Sequence, residues 1–179
     1  MAHIHTAFGQ HDHTASAFIF RLDGTEPKIL LIRHKILNLL LQPGGHVELN
    51  ENIWQAIQHE IVEETGYELS QLKVLQPEYR FPHLANSIIH PTAVVQSTHG
   101  FGIEHKHIDT AYAFITYESP SNAPEEGEAQ DIYWVTFEEF QALPDNEVVI
   151  DVRAIASAIF KHHLEYWKPV PLTEFETLF

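Results

Sequence analysis

Residues 52–66, NIWQAIQHEIVEETG, have one productive way to fold. At about 100° per residue, Ile53, Ile57 and Ile61, with Trp54 beside them, line one side of an α-helix, and such a stripe must be covered by other structure. Asn50 or Asn52 suits the N-cap and Gly66 the left-handed C-terminal cap, so the spacing predicts a helix ending at Thr65.

The acids of this helix are in the wrong place for an ordinary surface helix. With Ile57 at zero, Glu64 falls near about −20°, Glu60 near about −60° and Glu63 near about −120°. Two of the three carboxylates thus share an edge with the apolar stripe. They also neighbour one another at i, i+3 and i, i+4, and lie in the last two turns, where the helix dipole disfavours each anion by roughly 0.3–1 kcal/mol. A bound divalent cation removes the conflict, and oxygen-only ligands suit Mg²⁺ or Mn²⁺. Glu-x-x-Glu-Glu is also common on solvated helices, so alone it leaves a plain charged face open.

Around this helix, residues 14–21 and 28–33 are apolar runs joined by the turn signal Asp23-Gly24 and read as a hairpin. A further apolar run, 36–41, stops at Pro43-Gly44-Gly45. Residues 72–81, 88–96 and 108–117 read as strands, 120–130 as a polar acidic loop, 131–135 as a short strand and 137–143 as a helical turn. A second long helix is expected over 148–167, followed by a tail from Lys168 lying across the surface. Strands before, between and after two helices predict one α/β domain of α+β type, a mixed central sheet sandwiched between helices, with residues 1–13 as a loose N-terminus. A chain of 179 residues is long enough to bury a core unaided.

The balance of 25 acidic against 10 basic residues gives a formal charge of −15, which repels nucleic acid and anionic membranes and makes neither an expected partner. Cysteine is absent, no stretch is apolar enough for a membrane span, and the N-terminus lacks a secretory pattern, so the expectation is cytoplasmic. Monomer and dimer both fit the sequence.

Residues 45–67, GHVELNENIWQAIQHEIVEETGY, resemble the Nudix box, G-x5-E-x7-R-E-U-x-E-E-x-G-U with U a bulky apolar residue. Gly45, Glu51, Glu60, Ile61, Glu63, Glu64 and Gly66 match at the required spacing, and Tyr67 is an acceptable variant of the last position. His59 departs, standing where the family has Arg. The segments HTASAFIF, HKILNLLLQPGGHVE and HKHIDTAYAF extend the likeness over roughly residues 13–140 to one Nudix subgroup, with Leu40 where that subgroup often has Trp.

The resemblance implies a Nudix α/β/α sandwich and hydrolysis of the diphosphate linkage in a nucleoside diphosphate joined to another group. The substrate would be a small nucleotide, nucleotide-sugar or ADP-ribose-like molecule. It implies Glu60, Glu63 and Glu64 as metal ligands with the carbonyl of Gly45, with Glu60 and Glu63 central to catalysis. Gly44 then permits close backbone approach, and Glu51 holds the preceding loop. His59 would orient the carboxylates as the box Arg does, without its five-donor fork or permanent charge, giving weaker or more pH-dependent activity. Of Glu125, Glu126 and Glu128 in the acidic loop, Glu128 is favoured as general base because it sits close to a strand start. The intact glutamate set argues against the alternative, a Nudix-fold module that binds nucleotide without cleaving it, for which His59 is the only support. A diphosphate isomerase on the same fold is a third reading.

Fourteen histidines raise the question of a second metal site. His3 with His5, His11 with His13, and His105 with His107 have the alternating spacing that could hold Zn²⁺ or Ni²⁺ on a strand face, although surface histidine with fortuitous affinity is the simpler reading. His107 and Asp109 are also candidates for the substrate pocket.

Overall fold

A computed structural model describes residues 9–35, 37–81, 83–101, 105–128 and 131–175. Among these, strands β1 (His11–Arg21), β2 (Lys28–Arg33), β3 (Leu40–Leu41) and β4 (Gly44–His46) precede helix α1 (Ile53–Thr65). Strands β5 (Lys73–Gln76), β6 (Val95–Phe101), β7 (His105–Thr116) and β8 (Ile132–Thr136) follow, then helices α2 (Phe137–Ala142) and α3 (Ile150–Ala158). A wide helical turn, Ile159–His163, leads into the short helix α4 (Leu164–Tyr166), and β9 (Lys168–Pro171) closes the sheet.

The strand path is β3-β2-β1-β7-β5-β9, with β4 on β1, β6 on β7 and β8 on β2. The centre is the parallel pair β1 and β7, in unbroken register from His11↔Lys106 to Arg21↔Thr116, while its other pairings are antiparallel. The free edge of β1 is shared: β4 takes Thr14–Ser16 and β2 takes Phe20–Arg21.

Unbroken register makes side-chain parity decisive. Odd residues of β1 and even residues of β7 (Ala15, Ala17, Ile19, Tyr112, Phe114) pack with Trp54, Ile57 and Ile61 of α1. Even residues of β1 and odd residues of β7 (Phe18, Phe20, Ala111, Ala113, Ile115) pack with Val152, Ala156 and Ile159 on the opposite face. The result is the expected mixed sheet between helices. Trp54 is the anchor of the first layer, fully buried, stacked on Phe114 at 5.9 Å and edge-on to Tyr112 at 5.4 Å.

Several bounds differ from the sequence reading, for identifiable reasons. The strand expected over 72–81 ends at Gln76, because Pro77 has no amide to continue the ladder. The strand expected over 88–96 instead spans Val95–Phe101, where antiparallel register with β7 fixes it. The helix expected over 148–167 is three consecutive pieces from Ile150 to Tyr166. Residues 168–171, expected to lie loosely across the surface, add an antiparallel edge strand to β5 with Val170 buried. His11–His13, placed in a loose terminus by the sequence, begin the central strand; His3 and His5 lie outside the described residues. Among the described residues no helix is long and apolar enough to cross a membrane.

Candidate active site

Both ends of α1 are fixed by its own sequence. Asn52 accepts hydrogen bonds from the amides of Trp54 and Gln55, each at 3.0 Å, and the Gln55 side chain accepts from the Asn52 amide at 2.9 Å. Gly66 ends the helix at φ 70°, its amide donating to the Val62 carbonyl. The carbonyls left over at this end are taken by the acidic loop: Asn122 N–H donates to Gly66 at 3.0 Å and Glu125 N–H to Glu63 at 2.8 Å. A Cβ on Gly66 would lie 2.1 Å from the Asn122 carbonyl oxygen, so glycine here is what lets the loop dock. Tyr67 adds a third tie, donating its hydroxyl to Glu118 at 2.7 Å.

The three box glutamates have three different environments. Glu60 is 4% exposed, on the sheet side of the helix, and its Oε1 is buried with no hydrogen-bond partner among the described residues. Glu64 accepts from the Gly44 amide at 2.8 Å, across the gap between helix and β4. Glu63 meets His59 Nε2 at 2.6 Å, and His59 Nδ1 lies 3.7 Å from Glu51, which itself accepts from the Glu48 amide at 3.0 Å. His59 therefore spans Glu51 and Glu63.

Burial pushes the Glu60 carboxyl up to about 8, reinforced by the charges of Glu64, Glu63 and Glu128. Glu64 rises to about 7, again by burial first, with the Gly44 hydrogen bond opposing and Glu128 adding. Burial alone would lower the His59 imidazole, but its hydrogen bond to Glu63 and the charges of Glu63, Glu51 and Glu48 outweigh that and raise it. Glu128 acts on Glu60 and Glu64 through its charge and pairs with Lys35 at 3.7 Å.

Gly44 and Gly45 pair with Ser16 and Ala15. Gly44 has φ 152°, and a Cβ there would come within 2.3 Å of the Ala15 carbonyl, so backbone packing requires this glycine. The buried Glu60 and half-buried Glu64 beside the glycines of β4 fit a hard divalent cation, which would satisfy the Glu60 oxygen that lacks a partner among the described residues and relieve the crowding of charge.

His107 and Asp109 lie elsewhere. They are buried on the sheet face opposite α1, where Asp109 accepts from the hydroxyls of Thr14 and Ser16, both at 2.9 Å, and Gln42 donates to Ser16. Burial raises the Asp109 carboxyl despite these bonds. His46, His99 and His105 surround His107, with ring centroids 4.9, 5.3 and 5.1 Å away. The sequence reading did not connect Asp12, Thr14, Ser16 or His46 with this group. They reach it only through the β1–β7 and β1–β4 pairings, which no local spacing announces. On the α1 face, an open cleft of about 370 Å³ is lined by Ile53, Gln96, Thr110 and Tyr112. Ile53 opens the helix, roughly 10–16 Å along its axis from the three carboxylates, so that cleft is not where they converge.

Sandwich and box together define the class, the Nudix-type pyrophosphohydrolases, which act on phosphorus-containing anhydrides. The model of the NUDIX domain matches residues 12–156, and the chain belongs to the Nudix family. The fold is similar to that of a NUDIX-family hydrolase from Clostridium perfringens, 24% identical with a TM-score of 0.68 over 83% of this chain and 95% of that one. An Ap4A hydrolase from C. elegans, in a binary complex, aligns at 16% identity and TM-score 0.61 over 82% and 93%. The NUDIX domain of Shewanella oneidensis NrtR, complexed with ADP ribose, aligns at 16% and 0.60 over 84% and 86%. Comparison by sequence with curated proteins gives no match.

Proposed function

We propose that this protein is a metal-dependent hydrolase that cleaves the diphosphate linkage of a nucleoside diphosphate joined to another group. In this reading Glu60, Glu63 and Glu64, with the carbonyl of Gly45, hold Mg²⁺ or Mn²⁺. The observation that carries it is Glu60: a carboxylate 4% exposed, with a buried oxygen that no group among the described residues satisfies, beside two further carboxylates. A structural role alone gives no return for that arrangement. The metal, when bound, would neutralise and align the diphosphate oxygens.

The chain's own groups have separable tasks. The Gly44 amide fixes one oxygen of Glu64 and leaves the other for a ligand. His59 fixes the rotamer of Glu63 through their 2.6 Å contact. In this reading Glu128 accepts the proton of the attacking water, a role supported by the ties of its loop to the helix end through Asn122 and Glu125. The water oxygen bonds to phosphorus, the bond to the bridging oxygen breaks, and two phosphate products leave. Nucleotide chemistry is supported by fold neighbours that hydrolyse Ap4A or hold ADP ribose.

The test is product release from Ap4A, ADP-ribose, nucleotide-sugars and nucleoside triphosphates with Mg²⁺ or Mn²⁺, against EDTA and Glu63→Gln. Metal-dependent cleavage abolished by Glu63→Gln is the expected result. Nucleotide binding without turnover across that panel would overturn the hydrolase reading in favour of a binding module.

A further inference from the structure

On the sheet face opposite α1, the first turns of β1 and β7 bring Asp12, His105 and His107 together. One ligand atom from each lies within 4.8 Å of the others. We propose that these three residues form a second, transition-metal site, separate from the box carboxylates, for a borderline ion of the Zn²⁺ class.

Asp12 is 2% exposed, a degree of burial that an acid tolerates only beside compensating charge. His105 Nε2 stands 3.1 Å and His46 Nε2 3.7 Å from the same oxygen, Asp12 Oδ2. Two imidazoles, a third at the rim and one carboxylate form a nitrogen and oxygen set that suits Zn²⁺, Co²⁺ or Ni²⁺ rather than the hard Mg²⁺. Donors about 2.0–2.2 Å from a tetrahedral ion lie about 3.4 Å from one another. The 3.1 Å pair of His105 and Asp12 is already at that spacing and every donor lies within 4.8 Å of the others, so binding requires only small side-chain rotations. The placement follows from register: Asp12 pairs with His107, and alternation on β7 carries His105 to the same face. His11 and His13, by the same alternation, point to the α1 face and are exposed, which makes them natural controls.

Such an ion staples together strands more than 90 residues apart in sequence. Through His46 as fourth ligand, it also holds β4, whose Gly45 is adjacent to that histidine. Metal-linked stabilisation of this kind is folding free energy.

The test uses the full chain without an affinity tag, in excess Mg²⁺ so that the box carboxylates are saturated. Expected are one equivalent of tightly bound Zn²⁺ by calorimetry, a raised Tm, and visible absorption of a four-coordinate Co²⁺ derivative. His105→Gln with His107→Gln should weaken Zn²⁺ binding by about 100-fold or more. Glu60→Gln and the combined His3, His5, His11 and His13→Gln variant should retain it. Should the double variant fail to fold, imidazole nitrogen resonances of the unaltered protein decide, because Zn²⁺ must shift His105 and His107. Zn²⁺ binding that disappears with the N-terminal histidines, or leaves the His105 and His107 resonances unmoved, overturns the proposal.

Discussion

Glu60→Gln removes a charge while keeping shape, and its effect can be worked from the site. The Glu60 carboxyl sits near 8 in the fold against an ordinary 4.5. A folded-state pKa raised in this way gives stability that is complete below the unfolded value and is lost as pH rises through the folded one. By pH 7 the unfolded chain has been ionised over about 2.5 units, at about 1.4 kcal/mol each, so burial of the protonated acid costs the metal-free fold about 3 kcal/mol. Glutamine escapes that cost but leaves a buried amide in the same pocket, at about 1–2 kcal/mol. The variant should therefore be about 1–2 kcal/mol more stable than the parent in EDTA at pH 7, or a few degrees in Tm. The advantage should vanish near about pH 5.5 and reverse below it, where only the cost of the buried amide remains. Mg²⁺ should raise the parent's Tm more than the variant's, and diphosphate hydrolysis should be lost. The assay is thermal unfolding from pH 4.5 to 8, with EDTA and with Mg²⁺. A parent as stable as the variant at every pH, or a difference that does not grow with pH, would refute the reasoning.

Gly66→Ala should cost more than about 2 kcal/mol in denaturant unfolding, because alanine is strained at φ 70° and its Cβ meets the Asn122 carbonyl. Turnover should fall in the same variant as the loop carrying Glu128 is displaced. Asn52→Ala should cost about 1 kcal/mol through loss of the two cap hydrogen bonds, with little change in turnover of the remaining folded enzyme. His59→Arg should raise the rate at neutral pH and flatten the alkaline side of the pH profile, since imidazolium is lost as pH rises through the His59 pKa and guanidinium is not. An unchanged or lower rate would refute the orienting role given to His59. Glu128→Gln should lower kcat in steady-state kinetics with KM changed little, and full turnover would remove Glu128 as the base.

What was legible in the sequence was local. The helix 53–65 and its caps at Asn52 and Gly66 follow from spacing within a few turns, and the structure has them in place. Spacing put both Glu64 and Glu60 at the edge of the apolar stripe, and only the fold makes Glu60 the buried one. The hairpin of residues 14–21 and 28–33 was legible too, because a turn signal separates two apolar runs. What escaped depended on partners distant in sequence. The bounds of β6 are set by β7, and residues 168–171 became a strand because β5 offered an unpaired edge. The Asp12–His105–His107 cluster exists only because a parallel register sets residue 12 opposite 107. His59 shows the middle case: spacing placed it in the box, but its contact to both Glu51 and Glu63 required the fold.

The parallel pair at the sheet's centre also sets a timetable for synthesis. Among the described strands β1 leaves the ribosome first and is the one every layer needs, yet its partner follows about 95 residues later, the separation of Thr14 and Asp109. At roughly 5–20 residues per second, β1 waits on the order of 5–20 s with Phe18, Ile19 and Phe20 uncovered. Contacts this far apart in sequence slow folding and leave apolar strand surface open to the wrong partners. The nascent chain should therefore depend on chaperone shielding until residue 116 has emerged, and truncations ahead of that point should aggregate rather than fold in part.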